Sequence, residues 1–263
     1  MENSYVIVYR IPIEEVRASL QNIGIDNFIP LTDQSGVIYT PENYNIENLN
    51  NVEAVDWWQE YTPMSSLINI TNNVANGINI STASGIGTFN NPYINLNGEG
   101  ILVAIIDSGI NYLHPDFIKE DGTSKIVSMW NQDCNKSTPP QGMIFGSEYS
   151  REEINEAIRT NNQDLCIDTI GTGTMAAGII ASSGNVEGSY RGIAPNVELV
   201  VVKLRPYESV YRRGGISYRD TDFFAAISYV ISVANSLNMP LIINLSVGAT
   251  SASLYKVSIL NSF

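Results

Sequence analysis

The chain has 263 residues, 44% hydrophobic and 16% charged, with 27 acids against 14 bases and a formal charge of −13 at pH 7. That size and composition suit a globular protein with a real core, divided into one large and one small domain. The acidic excess is spread along the chain and argues against nucleic acid or an anionic membrane as the main partner.

Tyr5–Tyr9 predicts a short strand, and Ile13, Val16, Leu20 and Ile23 then recur at helical spacing up to Gly24. Phe28–Pro30 and Gly36–Tyr39 predict two strands about a polar turn, Asn43–Leu49 a second short helix, and Val52–Trp58 a last strand. This β-α-β-β-α-β order is that of a small α+β ferredoxin-like module, assigned to residues 1–66. Residues 67–97, rich in Asn, Gly, Ser, Thr and Ile, predict a connecting segment. From residue 98 the pattern changes. Ile101–Ile106 is an apolar run ended by Asp107-Ser108-Gly109, as in a strand buried on both faces whose last residue emerges at the sheet edge. An acid there has two readings: a site residue at the carboxyl end of a parallel strand, or a side-chain cap for the next turn.

Ser124–Trp130 predicts another strand, and Ser150 with Glu153 forms a capping box opening a helix to about Arg159. The rest of 134–170 is polar and irregular, as in a surface insertion. Gly171–Ala181 passes from glycine-rich turn to small apolar residues, predicting a helix packed closely on the sheet. Leu199–Leu204 is a further strand, Asp222–Ser236 a long amphipathic helix, and Leu241–Gly248 a strand and its exit. Strands alternating with helices predict an α/β, doubly wound parallel sheet over residues 98–263. Cys134 and Cys166 are too few for a disulfide framework and read as free thiols of a reducing compartment, with one bridge between them as the alternative. No apolar run is long enough to cross a bilayer, and a classical signal peptide is not expected.

Several motifs in order resemble the subtilisin-like serine proteases: Asp107-Ser108-Gly109, His114-Pro115-Asp116, Gly171–Gly178, Gly192-Ile193-Ala194-Pro195 before Val201–Leu204, and Asn244–Gly248. The resemblance implies a subtilisin-like sheet preceded by an inhibitory prodomain. It makes Asp107 the aspartate of the Ser-His-Asp triad and puts Thr172 where the general-base histidine belongs. A threonine hydroxyl is not basic near neutral pH and cannot relay a proton as imidazole does. Met175 replaces the family's second histidine, and His114, the only histidine, falls in a structural turn of the motif. The Gly-Thr-Ser-Met-Ala turn that carries the nucleophile is not reached. Ser246, Val247 and Gly248 resemble the substrate-binding strand, and Asp116 matches an acid at one calcium site of the family, where Ser183–Ser189 replaces the loop that supplies other ligands. Calcium is therefore an open expectation and no other cofactor is implied.

A narrower resemblance lies in Trp57–Leu67, in Thr172, and in the insertion from Trp130 to Ile170. These are similar to the clostridial Csp proteins of spore germination, most of all to their degenerate, germinant-sensing kind. The resemblance implies a pseudoprotease of the forespore and spore, with its prodomain retained and the Glu60–Met64 tail in its own groove. Other Csp-type proteins, a cortex hydrolase precursor or a bile salt would be its partners, bound on outer surfaces such as the Tyr207–Tyr218 loop. Two other readings stand beside it: a fragment of an active serine endopeptidase that processes a cortex-lytic precursor, and a truncated product that folds poorly.

Overall fold

The structure, a computed structural model, describes residues 2–66, 96–165, 167–186, 191–207, 216–248 and 259. Most of the expected connecting segment, together with Cys166 and the middle of the Tyr207–Tyr218 loop, lies outside them. Cys134 carries a free thiol.

The N-terminal module comprises β1 (Glu2–Val8), α1 (Ile13–Asn22), β2 (Asn27–Thr32), β3 (Ser35–Pro41) and β4 (Trp57–Glu60). Its sheet has the order β2-β3-β1-β4 and is antiparallel throughout. Side chains alternate across it with the period of two that a strand imposes. Tyr5, Ile7, Phe28 and Ile38 pack with Val16 and Leu20 of α1, whereas Val6, Ile29, Val37 and Tyr39 join the core of the large domain.

Two elements differ from the sequence expectation. The second helix is a six-residue 3-10 helix, Ile46–Asn51, because a short run with three asparagines offers little to sustain α-helical propagation. The last strand begins only at Trp57, since Val52–Val55 forms a turn closed by Val55 N–H on the Val52 carbonyl at 2.9 Å.

In the large domain, β6 (Leu102–Asp107), β7 (Ile126–Asn131), β8 (Ser147–Ser150), β9 (Glu198–Lys203) and β11 (Leu241–Leu245) form a sheet ordered β11-β6-β9-β7-β8. The first four run parallel, and β8, which the insertion hid, pairs antiparallel at the edge. Helices cover both faces. Leu102, Ala104 and Ile106 face α4 (Asp220–Leu237). Val103 and Ile105 face α2 (Arg151–Thr160) and α3 (Thr172–Ala181). That two-sided burial is why β6 reads as an unbroken apolar run. The capping box at Ser150 and Glu153 is present, and α2 ends on Asn161 in the left-handed region at φ 51°.

The N-terminal sheet packs on α4 rather than on the large sheet itself. Ser4 Oγ lies 2.7 Å from Thr221 Oγ1, and Tyr39 O–H donates to Asp222 Oδ1 at 2.9 Å. Arg205 holds the same carboxylate in a fork, at 3.1 and 3.2 Å, with its guanidinium 4.4 Å from the Phe145 ring centre.

A third, small sheet joins the two domains. Here β5 (Pro63–Ser66) lies between β10 (Ser217–Arg219) and β12 (Val247–Gly248), antiparallel to both. The segment in this slot is therefore Pro63–Ser66, a few residues beyond the Glu60–Met64 expected from sequence, because Trp57–Glu60 is already used by β4. Just before it, Thr62 N–H donates to Asp220 Oδ1 at 2.8 Å, and Tyr61 O–H meets the Tyr207 hydroxyl, with the Arg219 guanidinium 5.0 and 4.6 Å from the two ring centres. The described ends of the Tyr207–Tyr218 loop thus face inward. Tyr207 bonds to Tyr61, and Tyr218 is buried.

Candidate functional site

Asp107 ends β6 and is fully buried. Gly109 follows at φ 111°, a left-handed conformation that glycine adopts without strain and that turns the chain sharply out of the sheet. The turn brings Asp107 and Ser108 against the first turn of α3. The approach is very close: a Cβ on Gly173 would lie 2.1 Å from the Gly109 carbonyl oxygen. Ala176, Ala177 and Ala181 continue the small buried face of this helix.

Thr172, the first residue of α3, donates from Oγ1 to Asp107 Oδ1 at 2.5 Å, and Ser108 N–H donates to the same oxygen at 2.6 Å. Asp107 Oδ2 is buried with no hydrogen-bond partner among the described residues. Ser108 Oγ stands 2.8 Å from Thr172 Oγ1 and donates to Asp168 Oδ1, also at 2.8 Å. Burial raises the Asp107 carboxyl above the usual carboxylate value; hydrogen bonds from Thr172 and Ser108 oppose that shift, and the Asp168 charge adds to it.

Asp168 is the residue that sequence reasoning missed. It accepts from Ile170 N–H, Gly171 N–H and Thr174 N–H at 2.8–3.0 Å, and from Thr174 O–H at 2.7 Å. It therefore supplies the cap that Gly171, with no side chain, cannot. Burial alone would raise its carboxyl, but the donors from Gly171, Thr174 and Ser108 outweigh burial and hold it below the usual range. An acid a few residues ahead of a glycine-led helix was the available signal. Tyr218 faces both carboxyls, and burial together with their charges pushes its phenol well above its ordinary value.

The other expected site residues lie elsewhere. Val247 and Gly248 pair with Ser66 and Ser65, and the buried Ser246 accepts from the Asn244 side chain at 2.7 Å. His114 caps the 3-10 turn Pro115–Phe117 by accepting from Asp116 N–H at 3.3 Å. Asp116 Oδ1 accepts from Asn185 N–H at 2.6 Å and Val186 N–H at 3.3 Å, so it caps a turn. No group of three or more His, Cys, Asp or Glu side chains among the described residues is placed to hold a metal. No helix among them is long and apolar enough to cross a membrane.

The close packing at α3 makes a sharp prediction. Gly173→Ala is expected to destabilise the protein by about 1–3 kcal/mol, because the obstacle is backbone and cannot swing away. Gly178→Ala, with nothing within 4 Å of the new Cβ, is the control and is expected to be neutral or stabilising. Urea unfolding of both variants decides this; equal midpoints would show that α3 moves aside freely.

A parallel sheet with helices on both faces, an acid at the carboxyl end of β6 and a tightly packed glycine-led helix beside it define a subtilisin-type α/β domain. The chain belongs to the subtilase family, whose profile matches residues 98–259. It is 29% identical over 156 residues to a subtilisin of Bacillus sp. strain TA39, covering 59% of this chain and 29% of that protein. It is 28% identical over 121 residues to the minor extracellular protease Vpr of Bacillus subtilis, covering 43% of this chain and 12% of that protein. Among solved structures, fervidolysin of Fervidobacterium pennivorans aligns with all of this chain and 38% of its own, at TM-score 0.57 and 15% identity. The Clostridium perfringens CspB protease aligns over 60% of this chain and 30% of its own, at TM-score 0.49 and 28% identity. The chain thus spans under a third of the curated relatives it matches here.

Proposed function

We propose that this chain is a catalytically inactive subtilase that works as a regulatory scaffold in spore germination. The observation that carries the reading is the 2.5 Å bond from Thr172 Oγ1 to Asp107 Oδ1. It puts a hydroxyl, with no basicity near neutral pH, against the acid that in a working triad orients an imidazole. With no base at that position, the self-cleavage that releases a prodomain has no proton acceptor, so residues 1–66 stay attached and Pro63–Ser66 occupies the groove. The likeness of Trp57–Leu67 and of the 130–170 insertion to the clostridial Csp proteins supports the germination role. On that reading the partners are another Csp-type protein or a cortex hydrolase precursor, with a bile salt as the small-molecule ligand.

The test is intact mass and N-terminal sequencing of the protein made from its complete reading frame, beside its Thr172→His variant. The parent is expected to keep its N-terminal module. A parent species beginning near Met64 would return the chain to the active proteases, and cleavage gained only by the variant would show that the base was the main missing part.

A further inference from the structure

The contacts joining Asp107 to Asp168 need one proton more than the hydroxyls between them carry. Four oxygens stand in line: Asp107 Oδ1 to Thr172 Oγ1 at 2.5 Å, Thr172 Oγ1 to Ser108 Oγ at 2.8 Å, and Ser108 Oγ to Asp168 Oδ1 at 2.8 Å. Each separation is that of an O–H···O bond and needs one hydrogen. Thr172 and Ser108 bring one each. If both aspartates are ionised, Thr172 gives its hydrogen to Asp107 and Ser108 gives its hydrogen to Asp168. The two hydroxyl oxygens are then left facing each other at 2.8 Å with only lone pairs between them. The Gly173 N–H that reaches Ser108 Oγ at 3.0 Å points at one of these oxygens and does not bridge them.

We propose that Asp107 and Asp168 form a binding site for a single shared proton, which resides on Asp107. Protonation reverses the Thr172–Asp107 hydrogen bond that an ionised Asp107 would accept: the carboxyl O–H of Asp107 donates to Thr172, Thr172 donates to Ser108, and Ser108 donates to Asp168, so that all three contacts are satisfied. The two ends differ in a way that fixes where the proton sits. Asp168 accepts four hydrogen bonds besides that from Ser108 and lies at the N-terminus of α3, surroundings that favour an anion. Asp107 is fully buried, and its Oδ2 has no donor among the described residues. An ionised carboxylate would leave charge on that bare oxygen, whereas a neutral acid leaves only a carbonyl there.

The charged and titratable groups around the pair act in the same direction or are engaged elsewhere. Asp168, from the segment before α3, repels a second negative charge, and the Tyr218 phenol of β10 is held neutral. Lys203, beside Asp107 on β9, spends its ammonium on the Ile167 carbonyl at 3.1 Å. An acid that folding protonates contributes stability that is complete below the unfolded value of about 3.9 and is lost as pH rises through the folded value. Loss of the proton removes the hydrogen between Ser108 and Thr172, so the first turn of α3 is pushed away from Ser108. This goes beyond the scaffold reading and can fail without it, since an ionised Asp107 would still leave Thr172 where a base is needed.

The test is a carbon-13 NMR titration of the whole chain labelled at aspartate carboxyls, with Asp107 assigned as the resonance missing from Asp107→Asn. Asp107 is expected to titrate above the unfolded aspartate value of about 3.9. In Ser108→Ala the line needs only the Thr172 hydrogen, and the Asp107 midpoint is expected to fall. A parent midpoint at or below about 3.9 would overturn the proposal. So would an unchanged midpoint in Ser108→Ala, which would leave burial alone as the cause. Should that variant not fold, the titration of the parent decides alone: a midpoint at or below about 3.9 overturns the shared proton without any substitution at Ser108.

Discussion

A chain that begins at Thr62 is expected to show no cooperative thermal transition. Val6, Ile29, Leu31, Val37 and Tyr39 of the N-terminal sheet belong to the same buried cluster as Phe223, Phe224, Ile227 and Val230 of α4. Each such side chain contributes about 1.5–3 kcal/mol when fully buried, so removing the sheet forfeits roughly 10 kcal/mol. That is comparable to the whole stability of a typical domain, about 5–15 kcal/mol. The same deletion uncovers Thr221 and Asp222, which are buried against Ser4 and Tyr39. Circular dichroism melting and dye binding to exposed apolar surface would show it. A shortened chain that melts sharply within a few degrees of the parent would mean that the large domain stands alone.

Asp222→Ala is the single substitution with the largest expected cost. The Asp222 side chain is 1% exposed and takes hydrogen bonds from the Tyr39 phenol and from two nitrogens of Arg205. Its removal leaves a largely covered guanidinium without its main counter-charge, and breaking such a pair from one side costs about 3–5 kcal/mol. The carboxylate of Glu2, 3.7 Å from Arg205, limits the loss without replacing the fork. The melting temperature is expected to fall by roughly 10 °C, at about 2–4 °C per kcal/mol for a chain of this size. Asp222→Asn, which keeps an acceptor for Tyr39, is expected to lose less. A double-mutant cycle with Tyr39→Phe should give a coupling of about 0.5–3 kcal/mol; additivity would mean that the network is not one unit.

How much of this could be read beforehand depended on whether a residue's role was local. Leu102–Asp107 and Glu198–Lys203 are buried on both faces, so their composition alone announces central strands. Ser150 and Glu153 sit at a fixed local spacing, and the helix they cap was legible for that reason. The position of Thr172 was legible because the motif around it is contiguous. Ser217–Arg219 was not. Its three residues carry no apolar alternation, and they form a strand only because Pro63–Ser66, far away in sequence, pairs with them. Asp168 was hidden in the same way: it lies in a polar stretch, and its task is defined by a serine 60 residues earlier and by a helix that starts after it. The surface insertion concealed β8 because a four-residue edge strand that buries only Ser147 and Tyr149 has no hydrophobic signature.

The position of Pro63–Ser66 between two strands has a competitive consequence. A tethered segment presents itself to its slot at an effective concentration of order millimolar. For a tethered segment that itself fits the slot with micromolar affinity, a free peptide would find its own affinity weakened by roughly a thousandfold, and a micromolar peptide would register at ordinary concentrations as a non-binder. The slot between β10 and β12 is thus closed to most extended peptides by mass action alone, without any lid or steric gate. A partner that loosens the contacts of Thr62 with Asp220 and of Tyr61 with Tyr207 would lower that competition.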